Sequence, residues 1–171
     1  MFLSITSNVR RACLALVLSA AAVISQSAMA EEPLTPAKAE ANIAIAQSFY
    51  SLINGGDVAA WRQTLAEGWT ATPPMPSQTN EVGGYEAVIE AFRAGVPDLK
   101  VEQVEIIAND DVVAVRSRVT GTNTAPLFGQ PATGQSIAFT AMDIHRIKDG
   151  KIVETWHVED FLSMQRQLAD E

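Results

Sequence analysis

Both histidines of the chain lie in one stretch, DIHRIKDGKIVETWHVED, residues 143–160, together with the carboxylates Asp143, Glu154, Glu159 and Asp160. An unperturbed imidazole titrates near pH 6.5, so His145 and His157 are the side chains best suited to take and return a proton at neutral pH. A carboxylate beside such a ring can hold its tautomer and stabilise its protonated form. A histidine with a carboxylate is therefore minimal equipment for general acid–base chemistry. The same residue types also occur on ordinary solvated hairpins, so the elements that carry them must decide.

Residues 136–147 and 151–160 read as a hairpin around Asp149-Gly150. Side chains alternate between the faces of a strand, so the turn length decides which groups meet. A two-residue turn pairs Lys148 with Lys151 and puts Asp143 and His145 on the face of Glu154, Trp156 and Asp160. A three-residue loop pairs Ile147 with Lys151, with Gly150 left-handed, and puts them with Thr155, His157 and Glu159. Asp-Gly suits both, and the residues alone leave the register open.

Helical spacing of Ile45, Ala46, Phe49, Leu52 and Ile53 predicts a first helix over 40–53, stopped by Gly55-Gly56. Asp57 then caps a second helix with a Val58, Trp61, Leu65 stripe. WTATP, 69–73, reads as a short strand broken by Pro73 and Pro74. A third helix, 84–94, packs through Val88, Ile89 and Phe92. From Leu99 the period becomes two, giving strands over 99–108 and 112–121 around Asn109-Asp110-Asp111. A loop rich in Gly, Pro and Thr spans 122–135, and 161–169 reads as a closing helical turn. Helices early and a meander late predict an α+β domain, with three helices packed on a curved, mostly antiparallel sheet that encloses a cavity.

Trp69 and Phe139 are expected in the cavity wall, and the other large aromatics in the core. Asp160 stands where the last strand leaves the sheet. It lines the cavity mouth, or it caps the closing helix at Phe161, the ordinary role of Asp there. His145, on the face of Asp143, is a second polar group of the pocket or its rim. Glu154 with Arg146 reads as a surface ion pair of little energetic weight.

Residues 1–30 carry Arg10 and Arg11, an apolar run and Ala28-Met29-Ala30, which predicts a secretory signal peptide cleaved after Ala30 and a periplasmic or secreted product. Residues 31–39 are a polar lead-in, and 40–171 form the domain. The only cysteine, Cys13, leaves with the signal, so neither thiol catalysis nor a cysteine metal site is expected. Of twelve Lys and Arg, Arg10 and Arg11 leave too; ten against twenty Asp and Glu gives a net charge of −10. That balance argues against nucleic acid or an anionic membrane as partner. Two histidines without H-x-H or H-x-x-x-H spacing predict no metal site, and no glycine loop of the nucleotide-binding kind is present.

Four segments in order resemble one family. VPDLKVEQVEIIANDDVVAVR (96–116), GTNTAPLFGQPATG (121–134), RIKDGKIVETW (146–156) and DFLSMQRQL (160–168) look like the SnoaL-like polyketide cyclases, or ester cyclases, of the NTF2-like superfamily. The resemblance runs from about Ile43 to Leu168. It implies a cone-shaped α+β barrel with a deep apolar pocket, often dimeric, whose cyclases close a ring by aldol condensation with no cofactor or metal. The family's acid/base Asp falls at His157 and its partner His at Asp143, so this chain carries the pair exchanged. That correspondence favours the three-residue loop, with Asp143 and His157 facing the pocket together. Family histidines fall at Asn123 and Thr72, which implies polar but non-basic pocket residues there. The resemblance thus makes His157 the base and Asp143 its orienting partner, acting on an apolar carbonyl-bearing small molecule. The alternative is a non-catalytic binding protein that uses the same pocket.

Overall fold

In the computed structural model, residues 35–74, 79 and 81–169 are described. The segment expected to be a signal peptide lies outside them, as do residues 31–34 of the polar lead-in. The elements are α1 (Pro36–Phe49), α2 (Val58–Gln63), β1 (Leu65–Thr72), α3 (Val82–Gly95), β2 (Lys100–Asn109), β3 (Val112–Thr122), β4 (Ser136–Lys148), β5 (Lys151–Glu159) and α4 (Phe161–Leu168). The fold is α+β, as the helix-then-strand order predicts.

The first helix starts four residues before the expected Glu40. Thr35 caps it by accepting the Lys38 N–H at 3.2 Å, and Pro36 supplies a first residue with no N–H to satisfy. It ends at Phe49, so Tyr50, Leu52 and Ile53 belong to the following turns. Asp57 caps α2 by accepting the Ala60 N–H at 2.7 Å. The predicted stripe of α2 is corrected: only Trp61 is buried, Val58 is exposed, and Leu65 opens β1. Helix α3 buries Tyr85, Val88, Ile89 and Phe92 along one face.

The sheet order is β1-β5-β4-β3-β2. All neighbours are antiparallel except β1, which runs parallel to β5. The sheet is open at β1 and β2, and the helices cover its inner face. Strand β4 alternates strictly, with odd positions 137–147 buried and even positions turned out.

The β4–β5 turn corrects the expected register. Lys148 pairs with Lys151 and Ile147 with Ile152, across a two-residue turn in which Asp149 (φ 49°) and Gly150 (φ 72°) are both left-handed. The pairing then slips, and Arg146 meets Glu154. Val153 is thus a β-bulge, one extra residue that reverses which positions of β5 face inward. Beyond it Asp143 stands opposite His157, and His145 opposite Thr155. The expected face is right and the expected loop is not, because the bulge does what a longer loop would have done. Arg146 also chooses another partner than Glu154. Its guanidinium bonds Asp111 at 2.9 Å and lies over the Trp156 ring.

Candidate active site

Asp143 is 6 % exposed, at the floor of a cavity between the sheet, α3 and the end of α1. Its walls are apolar, with Ile89, Phe92, Leu99 and Phe139 among them, and its polar groups are Tyr50, Tyr85, Asp143 and Glu159. The empty volume, with the open mouth included, is about 530 Å³. Burial raises the Asp143 carboxyl from 3.8 to about 7. The hydrogen bond from Tyr50 opposes that rise, the Glu159 charge adds to it, and the His157 charge opposes it. Near neutral pH this carboxyl is therefore poised to take or give a proton.

Behind Asp143 runs a buried polar chain. The Tyr50 hydroxyl donates to Asp143 Oδ2 at 2.8 Å and lies 3.2 Å from His145 Nε2. His145 Nδ1 lies 3.0 Å from Thr155 Oγ1, which accepts the Trp69 indole N–H at 3.1 Å. Burial, with a smaller contribution from His157, lowers the His145 pKa to about 3, so the ring is neutral. Burial also holds the Tyr50 and Tyr85 hydroxyls far above the usual phenol range, so both keep their protons.

His157 is oriented by Glu159 rather than by Asp143. Its Nδ1 lies 2.8 Å from Glu159 Oε1. Nε2 is buried and has no hydrogen-bond partner among the described residues. Burial alone would lower its pKa, but the Glu159 bond and charge, then Asp143 and the Pro73 carbonyl, outweigh it and the net shift is upward. The ring lines a second, smaller pocket with Pro74, Gly84 and Tyr85, not the main cavity. Asp143 and His157 are thus neighbours across the ladder and act on each other through charge.

The remaining expected site residues divide. Phe139 lines the cavity. Trp69 does not: it sits in an aromatic cluster with Phe49, Trp61 and Tyr85, ring centroids 5.6–6.0 Å away. His145 lies behind Tyr50 rather than in the wall. Thr72 falls on the face of β1 opposite buried Trp69 and Ala71, outside the cavity wall. Asn123 is spent on its own loop, donating to the Gly95 and Ala125 carbonyls and accepting from Thr133 N and Oγ1. Asp160 caps α4 through the Ser163 N–H and hydroxyl. Among the described residues no cluster of His, Cys, Asp or Glu could hold a metal ion.

Tyr50, Tyr85 and Glu159 are cavity residues that the sequence reading did not single out. Glu159 stands on the face of His157 in the three-residue register, but alternation alone gives it no role. Tyr50 lies four residues after Ala46, just past the end of the first helix, and Tyr85 lies three before Val88 on the apolar face of the third.

The family model described as SnoaL-like polyketide cyclase matches residues 43–168. Aklanonic acid methyl ester cyclase DnrD of Streptomyces peucetius is 33% identical over 89 residues. That match spans 47% of this chain and 61% of the relative, less than two thirds of its length. A candidate polyketide cyclase of Bacillus cereus ATCC 10987 has a similar structure, with TM-score 0.70 at 29% identity over 80% of this chain and 85% of that one. Wild-type IdmH of Streptomyces antibioticus, also a candidate polyketide cyclase, has TM-score 0.67 at 26% identity over 75% and 98%.

Proposed function

The chain belongs to the SnoaL-like polyketide cyclase family, and from that premise we propose that it is a cyclase- or isomerase-type enzyme that moves protons on an apolar, carbonyl-bearing small molecule without a cofactor. One observation carries the reading: a buried carboxyl, raised to about 7, at the floor of a cavity with apolar walls. Asp143 as carboxylate removes a proton α to the carbonyl. Tyr85, whose hydroxyl keeps its proton within reach of the same cavity, donates to the enolate oxygen. In an isomerase Asp143 returns the proton to another carbon. In a cyclase the enolate carbon attacks a second carbonyl of the same molecule, and Asp143 protonates the resulting alkoxide. Either cycle leaves the protein unchanged. His157 with Glu159 tunes the carboxyl through charge, so the expected His/Asp pair is kept with the roles reassigned.

The test is α-proton exchange. Small ketones and keto esters incubated with the protein in D₂O should exchange by NMR, and Asp143→Asn should lose about a hundredfold or more of that rate. Exchange undiminished in Asp143→Asn would sink the assignment. The apolar walls equally suit a binding protein without chemistry, which retention of a co-purified ligand by Asp143→Asn, with no exchange by either protein, would mark. Export and self-association belong to the same proposal. Intact mass of periplasmic protein should begin at Glu31, and sedimentation should report a homodimer.

A further inference from the structure

We propose that Trp69, Thr155, His145 and Tyr50 form a one-way hydrogen-bond relay that keeps Asp143 Oδ2 as an acceptor and confines the exchangeable proton to Oδ1. The relay rests on hydrogen placement alone. Its meaning for catalysis, as four positioning residues, rests on the reading of Asp143 given above.

An indole N–H can only donate, and that of Trp69 donates to Thr155 Oγ1. The Thr155 hydroxyl has one hydrogen, and its hydrogen-bond contacts among the described residues are Trp69 and His145. Thr155 is fully buried, so a hydrogen without an acceptor there carries its full desolvation penalty. The hydrogen therefore goes to His145 Nδ1. His145 is neutral and has one ring hydrogen, which is then on Nε2 and is donated to the Tyr50 oxygen at 3.2 Å. The Tyr50 hydrogen is left for Asp143 Oδ2. The opposite sense needs Asp143 to donate to Tyr50, Tyr50 to Nε2, and Nδ1–H to Thr155. It strands the Thr155 hydrogen between two donors. Only the first direction gives every hydrogen an acceptor.

Oδ2 then accepts from Tyr50 whether or not Asp143 is protonated. The titrating proton sits on Oδ1, which has no hydrogen bond among the described residues. The titratable groups facing Asp143 are Tyr50 at the end of α1, Tyr85 on α3, His145 on β4, and His157 and Glu159 on β5. Of these, only Tyr50 makes a hydrogen bond to it.

The experiment is two-bond ¹H–¹⁵N NMR of the histidine rings in the full chain. The two rings separate by titration, since the His157 pKa is raised and that of His145 is lowered to about 3. His145 should carry its hydrogen on Nε2 with Nδ1 bare, from pH 5 to 9. Thr155→Val removes the donor to Nδ1, so the Nδ1–H form should gain population. Tyr50 then turns toward Nε2, and the Asp143 pKa, read from its ¹³C carboxyl shift, should rise by about one pH unit. Thr155→Ser should restore both. A hydrogen on Nδ1 in the unsubstituted protein would overturn the relay, whatever the variants do. So would a Thr155→Val protein whose Asp143 titrates as before. No readout uses turnover: relay signatures present beside undiminished α-proton exchange in Asp143→Asn would uphold the relay and overturn only the reading of the site.

Discussion

In the folded chain Asp143 still holds its proton at pH values where the unfolded chain has released it. The sign follows from proton counts. The native state binds more protons between the unfolded value of 3.8 and the folded value of about 7, so stability falls as pH rises through that window and is flat above it. At about 1.4 kcal/mol per pH unit the ceiling is roughly 4 kcal/mol. Asp143→Asn carries no charge, so denaturant titration should find it more stable than the parent at pH 8, with the gap closing toward pH 4. His157 runs the same way, in a window that opens higher. Its pKa is raised, so its contribution is complete below about pH 6.5 and is lost as pH rises through the folded value. Glu159→Gln removes the strongest upward influence and leaves burial unopposed by it, so His157 should titrate lower by NMR. That Asp143 and His157 share a face was legible from strand alternation and the resemblance. Their actual partners were not. Glu159 over Asp143 is a choice of ring orientation, and Tyr50 lies 93 residues from Asp143.

The hairpin carries the sharpest test at the level of elements. Val153 is the residue of β5 that the ladder skips, so deleting it should leave an uninterrupted ladder, with Arg146 still opposite Glu154 and Asp143 still opposite His157. That variant should keep most of its Tm and the inward face of β5, and collapse of the thermal transition would show that the bulge itself is required. Both registers open in the sequence were half right, since the turn is the short one and the face is that of the long one. A bulge has no residue signature of its own at Val153, and it is settled by what must be buried on either side. The loop clamp gives a second test. Asn123→Ala removes the side-chain hydrogen bonds to the Gly95 and Ala125 carbonyls and from Thr133, and should cost about 2 kcal/mol by denaturation. Ligand contacts in the cavity should be unaffected.

For the whole molecule, the order of helices and strands was enough to give the class, because the change from a helical to a two-residue period is visible at Leu99. The strand order was not. Residues 65–72 show no sign that β1 will run parallel to β5, a pairing that only closure of the sheet around α3 decides. The outward sheet face carries Met142, Ile144 and Val158, each more than 40 % exposed, beside the Arg116–Glu105 ion pair. Apolar surface with both charge signs at its side suits a two-fold contact. If the proposed dimer uses this face, Val158→Glu should sediment as a monomer with an unchanged melting temperature, and an unaltered dimer would exclude the face. Inside, Tyr85 and Val88 border both the main cavity and the pocket of His157. They are a partition one side chain thick. With smaller residues at 85 and 88 the two chambers would become one, running from Phe139 to Pro74 with the imidazole as its back wall. The length of molecule the protein admits is therefore written on one turn of α3.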